Sequence, residues 1–129
     1  MIAERIDLVA IEDQAAKLPN DEIARYLQNT LGQRVTAYIC GLKDPKMVGQ
    51  WGSKKVNPGH LAALRLRQAY EVVRLISEAY GSETASSWLF GSNSRLDSEA
   101  PAYVLRHARD WDAMRLVVPT ARAFVVGEF

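Results

Sequence analysis

The strongest constraint on the fold is the stretch from His60 to Tyr80. Leu61, Leu64, Ala69, Val72, Val73 and Ile76 recur there at helical spacing, with no proline or glycine to interrupt them. That spacing paints a broad apolar stripe on one side of an α-helix. Gly81 ends the pattern as a helix stop does. A helix of this length holds only if other elements bury the stripe. The rest of the chain offers helices for that purpose. It has no alternating apolar run and no Asn-Gly or Asp-Gly hairpin signal. The expected class is all-α.

The other elements follow from caps and breakers. A weak first helix is expected from Ile6 to about Lys17, closed by Leu18-Pro19. Asn20 or Asp21 caps a second, whose stripe is Ile23, Ala24, Leu27 and Leu31 and whose stop is Gly32. A short third helix runs from Val35 to Cys40 with Gly41 behind it. Asp44 caps a fourth, with Pro45 at its first position, Met47, Val48 and Trp51 along it, and an end near Gly52. Asn57-Pro58-Gly59 is a turn. Ser82 caps a helix through Leu89, and Gly91 to Ser94 form a loop. Asp97 or Ser98 opens a short helix carrying Pro101. Asp110 caps a last helix that Pro119 should kink or split. These elements group into an N-terminal segment 1–20, a region 21–80 and a C-terminal region 81–129.

Composition excludes several function classes. Apolar residues make up 48% of the 129 and charged residues 24%, which suits one globular domain rather than a disordered or fibrous chain. No apolar run reaches the ~20 residues that cross a bilayer, and no basic stretch precedes an apolar one at the start. The cytoplasm is the default expectation. Cys40 is the single cysteine, so no intramolecular disulfide forms. With His60 and His107 it makes no zinc spacing. No glycine-rich phosphate loop or nucleophile–base motif appears, so neither enzymatic chemistry nor a cofactor is expected.

Charge is informative by its distribution. The net charge is only +1, yet residues 33–74 hold eight cations against two acids, while both flanks are acidic. A basic middle is the electrostatic mark of a nucleic-acid-binding segment. Within it, Arg34 to Trp51 reads as helix, glycine turn and capped helix. Ala37, Leu42, Val48 and Trp51 stand where a helix-turn-helix needs apolar contacts. The second helix would enter the major groove with Asp44, Lys46 and Gln50 turned away from Val48 and Trp51. Gln50 suits adenine, and Lys46 suits guanine or phosphate. Lys43, Lys54, Lys55, Arg34 and Thr36 are the phosphate candidates. Arg65 and Arg67 are candidates for phosphate or for acids across a dimer.

A second motif lies downstream: Trp88-Leu-Phe-Gly-Ser-Asn93-Ser-Arg-Leu96-Asp97-Ser-Glu-Ala-Pro101-Ala-Tyr-Val-Leu105. On physical grounds Trp88, Phe90, Leu96 and Leu105 are core residues, Asn93 closes its loop and Pro101 starts a helix. From about Ala24 to Gly127 the chain resembles the antitoxins of the Xre–RES toxin–antitoxin systems, the Xre/MbcA/ParS group. The tryptophan, asparagine loop and proline-led helix resemble that group's toxin-binding region, and Val35 to Trp51 its Xre-like helix-turn-helix. The resemblance implies an Xre-like helix-turn-helix followed by a small helical toxin-binding domain, and a homodimer. The implied partners are operator DNA and a RES-domain toxin that consumes NAD. It assigns Trp88, Asn93, Arg95, Arg122, Phe124, Val126 and Phe129 to the toxin. It also implies that the C-terminal segment enters the toxin's NAD cleft. One departure is visible: the group often carries a glycine where Arg106-His107-Ala108 stands. The residues alone leave three readings open: an antitoxin, a stand-alone helix-turn-helix regulator, and an interaction module without DNA contacts. The apolar tail from Phe124 onward either docks on its own domain or inserts into a partner.

Overall fold

Helix follows helix through residues 6–127, the part of the chain that the computed structural model describes. In order they are α1 (Leu8–Lys17), α2 (Asn20–Leu31), α3 (Gln33–Cys40), α4 (Lys46–Gly52), α5 (His60–Tyr80), α6 (Ser82–Phe90), α7 (Pro101–His107), α8 (Trp111–Met114) and α9 (Val117–Val125). A 3-10 turn, Ser94–Leu96, precedes α7. The described residues contain no strand, and the fold is all-α.

Local signals explain most of these boundaries. The Asp7 Oδ1 accepts from the Ala10 N–H at 2.9 Å and starts α1. Asp110 does the same for α8, taking the Ala113 N–H at 2.9 Å. Two expected caps are not made. Pro19 holds the cap position of α2, while the Asn20 Oδ1 accepts from Arg67 at 2.9 Å. Gly81 precedes α6, and Ser82 lies inside it. The proline-led helix begins at Pro101 itself, because Asp97 and Ser98 both take left-handed backbone at φ 55° and 66°. The last helix splits: α8 stops at Met114 and α9 starts at Val117. The break falls ahead of Pro119, which sits in the first turn of α9, where a missing N–H removes no intrahelical bond.

The stripe on α5 becomes the axis of the molecule. Leu66, Val72, Val73, Leu75 and Ile76 are fully enclosed, and α1, α2, α3, α6, α7 and α9 pack around them. Each such side chain contributes about 1.5–3 kcal/mol by leaving water. One continuous apolar cluster joins Ile11 of α1, Ile23 and Leu27 of α2, Ile39 of α3 and Trp51 of α4 to Leu89, Leu105, Met114 and Ala121 from the C-terminal helices. The expected boundary near residue 80 therefore separates two stretches of chain that share one core.

Arginines fasten helix ends across this core. The last carbonyls of a helix have no partner within it and attract cations. Arg25 of α2 donates to the Gly52 carbonyl at 2.6 Å. Arg67 donates to the carbonyls of Ala15 and Leu18, both at 2.8 Å. Arg65 donates to those of Cys40 at 3.1 Å and Ala108 at 2.7 Å. The expectation that Arg65 and Arg67 reach phosphate or a dimer partner is thus corrected. Their guanidinia turn inward because unpaired helix ends lie within reach.

Candidate nucleic-acid interface and partner cleft

The segment expected to meet DNA forms two helices around a left-handed glycine. Gly41 sits at φ 79° between α3 and α4, and its N–H returns to the carbonyl of Tyr38 at 3.1 Å. A Cβ there would lie 2.5 Å from the Arg65 Nη1. Leu42 follows, half-buried, with its N–H on the Ala37 carbonyl at 2.9 Å. Asp44 then closes the entry to α4: its Oδ1 accepts from the Lys46 N–H at 3.0 Å and its carbonyl from the Met47 N–H at 3.2 Å. At the far end Arg25 holds the Gly52 carbonyl, and Lys54 turns the chain at φ 66°. Both ends of α4 are therefore fixed.

Helix α4 has two distinct sides. Val48, Trp51 and Gly52 are buried and Met47 is partly buried, against α2 chiefly and α3 to a lesser extent. Lys46, Gln50 and Ser53 are exposed, with Gly49 between them. Lys46 and Gln50 stand one turn apart and so share one outward strip. Arg34, Lys43, Lys54 and Lys55 are also exposed, and none of these cations forms an ion pair among the described residues. The one carboxylate in residues 33–59 is Asp44, which serves its own backbone.

Two corrections follow. Thr36 is 1% exposed, and its hydroxyl donates to the Gly32 carbonyl at 2.8 Å, so it cannot touch a phosphate. The basic balance of residues 33–74 overstates the surface charge. Arg65 and Arg67 are spent on carbonyls, and Arg74 donates to Gln14, Tyr70 and Glu78. What remains outward is five cations and one acid in residues 33–59. Two polar residues absent from the sequence reading join this side. Gln33, first in α3, donates to Gln28 at 3.1 Å, and its Nε2 lies 3.0 Å from where a Cβ on Gly49 would stand. A glycine in the middle of a helix is the signal that could have located them.

The residues assigned to a partner separate into groups. Trp88, Asn93, Arg95 and Phe124 come together with Ser92, Ser94 and Thr120 around an open cleft of about 190 Å³. The Asn93 Oδ1 accepts from the Arg95 N–H at 3.0 Å, and buried Leu96 anchors the same loop. Phe124 lies 5.3 Å from the Tyr80 ring and 6.2 Å from that of Trp88, so this part of the tail docks on its own domain. Val126 is exposed, and Phe129 lies outside the described residues. Arg122 is corrected: its Nη2 pairs with Glu71 of α5 and, at 3.3 Å, with Glu12 of α1. It ties α9 inward because the buried Glu71 carboxylate needs a cation. Phe90, expected in the core, is 45% exposed beside Tyr38.

His60 and His107 are exposed, and Cys40 is buried, its thiol pushed up to about 12 by desolvation against a smaller opposing effect of Arg65. No helix among the described residues is long and apolar enough to cross a membrane, and none of their His, Cys, Asp and Glu side chains cluster as metal ligands. Comparison with protein-family models, curated proteins and solved structures finds no match.

Proposed function

We propose that this chain is a non-catalytic DNA-binding antitoxin, reading its operator through α4 and neutralising a toxin through its C-terminal helices. One observation carries the reading: α4 is fixed at both ends and turns Lys46 and Gln50 outward among cations that form no ion pair among the described residues. The Gln50 amide presents a donor and an acceptor to adenine, and Lys46 reaches guanine or phosphate. Arg34, Lys43, Lys54 and Lys55 neutralise the backbone and set register without reading sequence. A homodimer would place two such helices in successive major grooves.

The toxin half of the proposal rests on the resemblance of residues 88–105 to the Xre/MbcA/ParS group and on the cleft of Trp88, Asn93, Arg95 and Phe124. The proposed partner is a RES-domain toxin that consumes NAD, and the segment that begins with the exposed Val126 and Gly127 is the part offered to its cleft.

A gel shift with duplex from upstream of the chain's own gene tests the DNA reading. Lys46→Ala with Gln50→Ala should cut affinity at least about tenfold, since each specific contact is worth ~1–3 kcal/mol. Unchanged affinity, with a folded variant, removes α4 from DNA binding. Co-expression with the neighbouring gene tests the toxin reading. Rescue of growth supports it, and retained DNA binding without rescue makes the chain a stand-alone regulator.

A further inference from the structure

The joint between the DNA-reading segment and the C-terminal helices is built from two arginines. Arg106, near the end of α7, donates to the Tyr38 carbonyl in the last turn of α3 at 2.7 Å. Its guanidinium also lies over the Tyr38 ring, 4.6 Å from the centroid. Arg65 of α5 bridges the other pair of ends, Cys40 of α3 at 3.1 Å and Ala108 behind α7 at 2.7 Å. The C-terminal ends of α3 and α7 therefore meet at Arg65, and Arg106 brings a second cation to the end of α3. Among the described residues no carboxylate bonds to either cation, and helix-end carbonyls are what compensate them.

The position of this joint matters more than its strength. Gly41, where α3 hands over to α4, leaves room for the Arg65 Nη1, and the Arg106 carbonyl stands 3.7 Å from the same missing Cβ. A shift of α7 would carry the Arg106 guanidinium away from Tyr38 and withdraw the Ala108 carbonyl from Arg65, which stands beside Cys40 and Gly41. Those residues set the angle at which α4 leaves α3. On the other side, α7 packs on α6, α8 and α9, and α6 and α9 contribute Trp88, Thr120 and Phe124 to the cleft.

We infer that Arg65 and Arg106 are positioning residues for DNA recognition, which couple α4 to the C-terminal helices so that displacement of α7 weakens DNA binding. This inference rests on the DNA reading of α4. It adds that, within the shared core, the α3–α7 joint is the contact that bears directly on the turn into α4. A partner that pulls α7 outward would release the operator, and one that leaves α7 seated would bind together with it.

Arg106→Gln and Arg106→Lys test the coupling by amide exchange on the free protein and by gel shift with the upstream duplex. Arg106→Gln should speed exchange at Gly41, Leu42, Met47 and Val48 about tenfold, as loss of a charged hydrogen bond predicts, while the Val72 to Ile76 amides keep their protection. Duplex affinity should fall by a similar factor, and Arg106→Lys, which keeps the cation and one donor, should recover part of both. Uniform acceleration through α5 would mean a general loss of stability and overturn the inference. So would unchanged exchange at the α3–α4 turn. Should Arg106→Gln fail to fold, Arg106→Lys against wild type carries the same comparison. Exchange needs no DNA: if Lys46→Ala with Gln50→Ala leaves affinity untouched while Arg106→Gln still loosens the turn, the DNA reading fails and the mechanical joint stands.

Discussion

At the scale of single residues, backbone handedness and satisfied polar groups decide which positions tolerate change. Gly41 combines a positive φ with an arginine where a Cβ would stand. Left-handed backbone costs an L-residue about 1–2 kcal/mol before any collision. Gly41→Ala should therefore destabilise by at least that amount in chemical denaturation, and should disturb the Arg65 bond to Cys40. Cys40 makes an opposite kind of prediction. Its thiol stays protonated to about 12 in the folded chain, against an ordinary value near 9. Stability from this group is present in full below the unfolded value and is lost as pH rises from there towards the folded one. Alkylation by iodoacetamide at about pH 8 should accordingly track unfolding and not surface exposure. Thr36 shows the limit of sequence reading at this scale. A threonine beside Arg34 reads as a surface hydroxyl, but its bond to Gly32 satisfies the group and lets α3 bury it.

At the scale of elements, the notable contacts are those that hold helices by their ends or across the core. The Arg122 contact to Glu71 and Glu12 joins α9 to α5 and α1. Burial raises the Glu71 carboxyl and Arg122 only partly opposes it. The folded chain thus binds this proton more tightly than the unfolded one, and the contribution is lost as pH rises through the carboxylate range. Arg122→Met strands a buried carboxylate and should cost about 3 kcal/mol at neutral pH. Glu71→Gln with Arg122→Met should cost less than Arg122→Met alone. The single variant should also regain stability as pH is lowered, because the stranded acid binds its proton more tightly in the folded chain than in the unfolded one. Equal losses in both variants at every pH would show that packing, not charge, governs this contact. Pro119 was legible as a breaker. Where the break falls was not, because a proline in the first turn of α9 costs nothing and displaces the discontinuity to Arg115 and Leu116.

At the scale of the whole molecule, one core serves both the proposed DNA-reading helices and the proposed toxin-facing ones. This bears on how the tail is tested. Removing everything from Phe124 onward also removes Val125, which is 1% exposed, and the ring contacts to Tyr80 and Trp88. That truncation should destabilise by several kcal/mol, about 3 of them from the phenylalanine alone. Stopping the chain after Val125 should leave the melting temperature close to wild type, so lost toxin protection would then report on the tail itself. The DNA side has a matching signature. Replacing Lys54 and Lys55 by alanine should flatten the log–log salt dependence of duplex binding by about 0.9 for each phosphate contact removed.

The linear sequence determined the class of fold, the long axial helix, the turn at Gly41, the Asp44 turn that leads into α4 and the outward strip of Lys46 and Gln50. All of these are local: helical period, a positive φ and an aspartate turn are settled within a few neighbouring residues. The tertiary structure alone decided what the arginines do. Arg25, Arg65, Arg67, Arg106 and Arg122 all reach partners at least 25 residues away, and no local pattern distinguishes them from surface cations. A guanidinium is long enough to choose between water and an unpaired helix end, and only the packed chain brings that end within its reach.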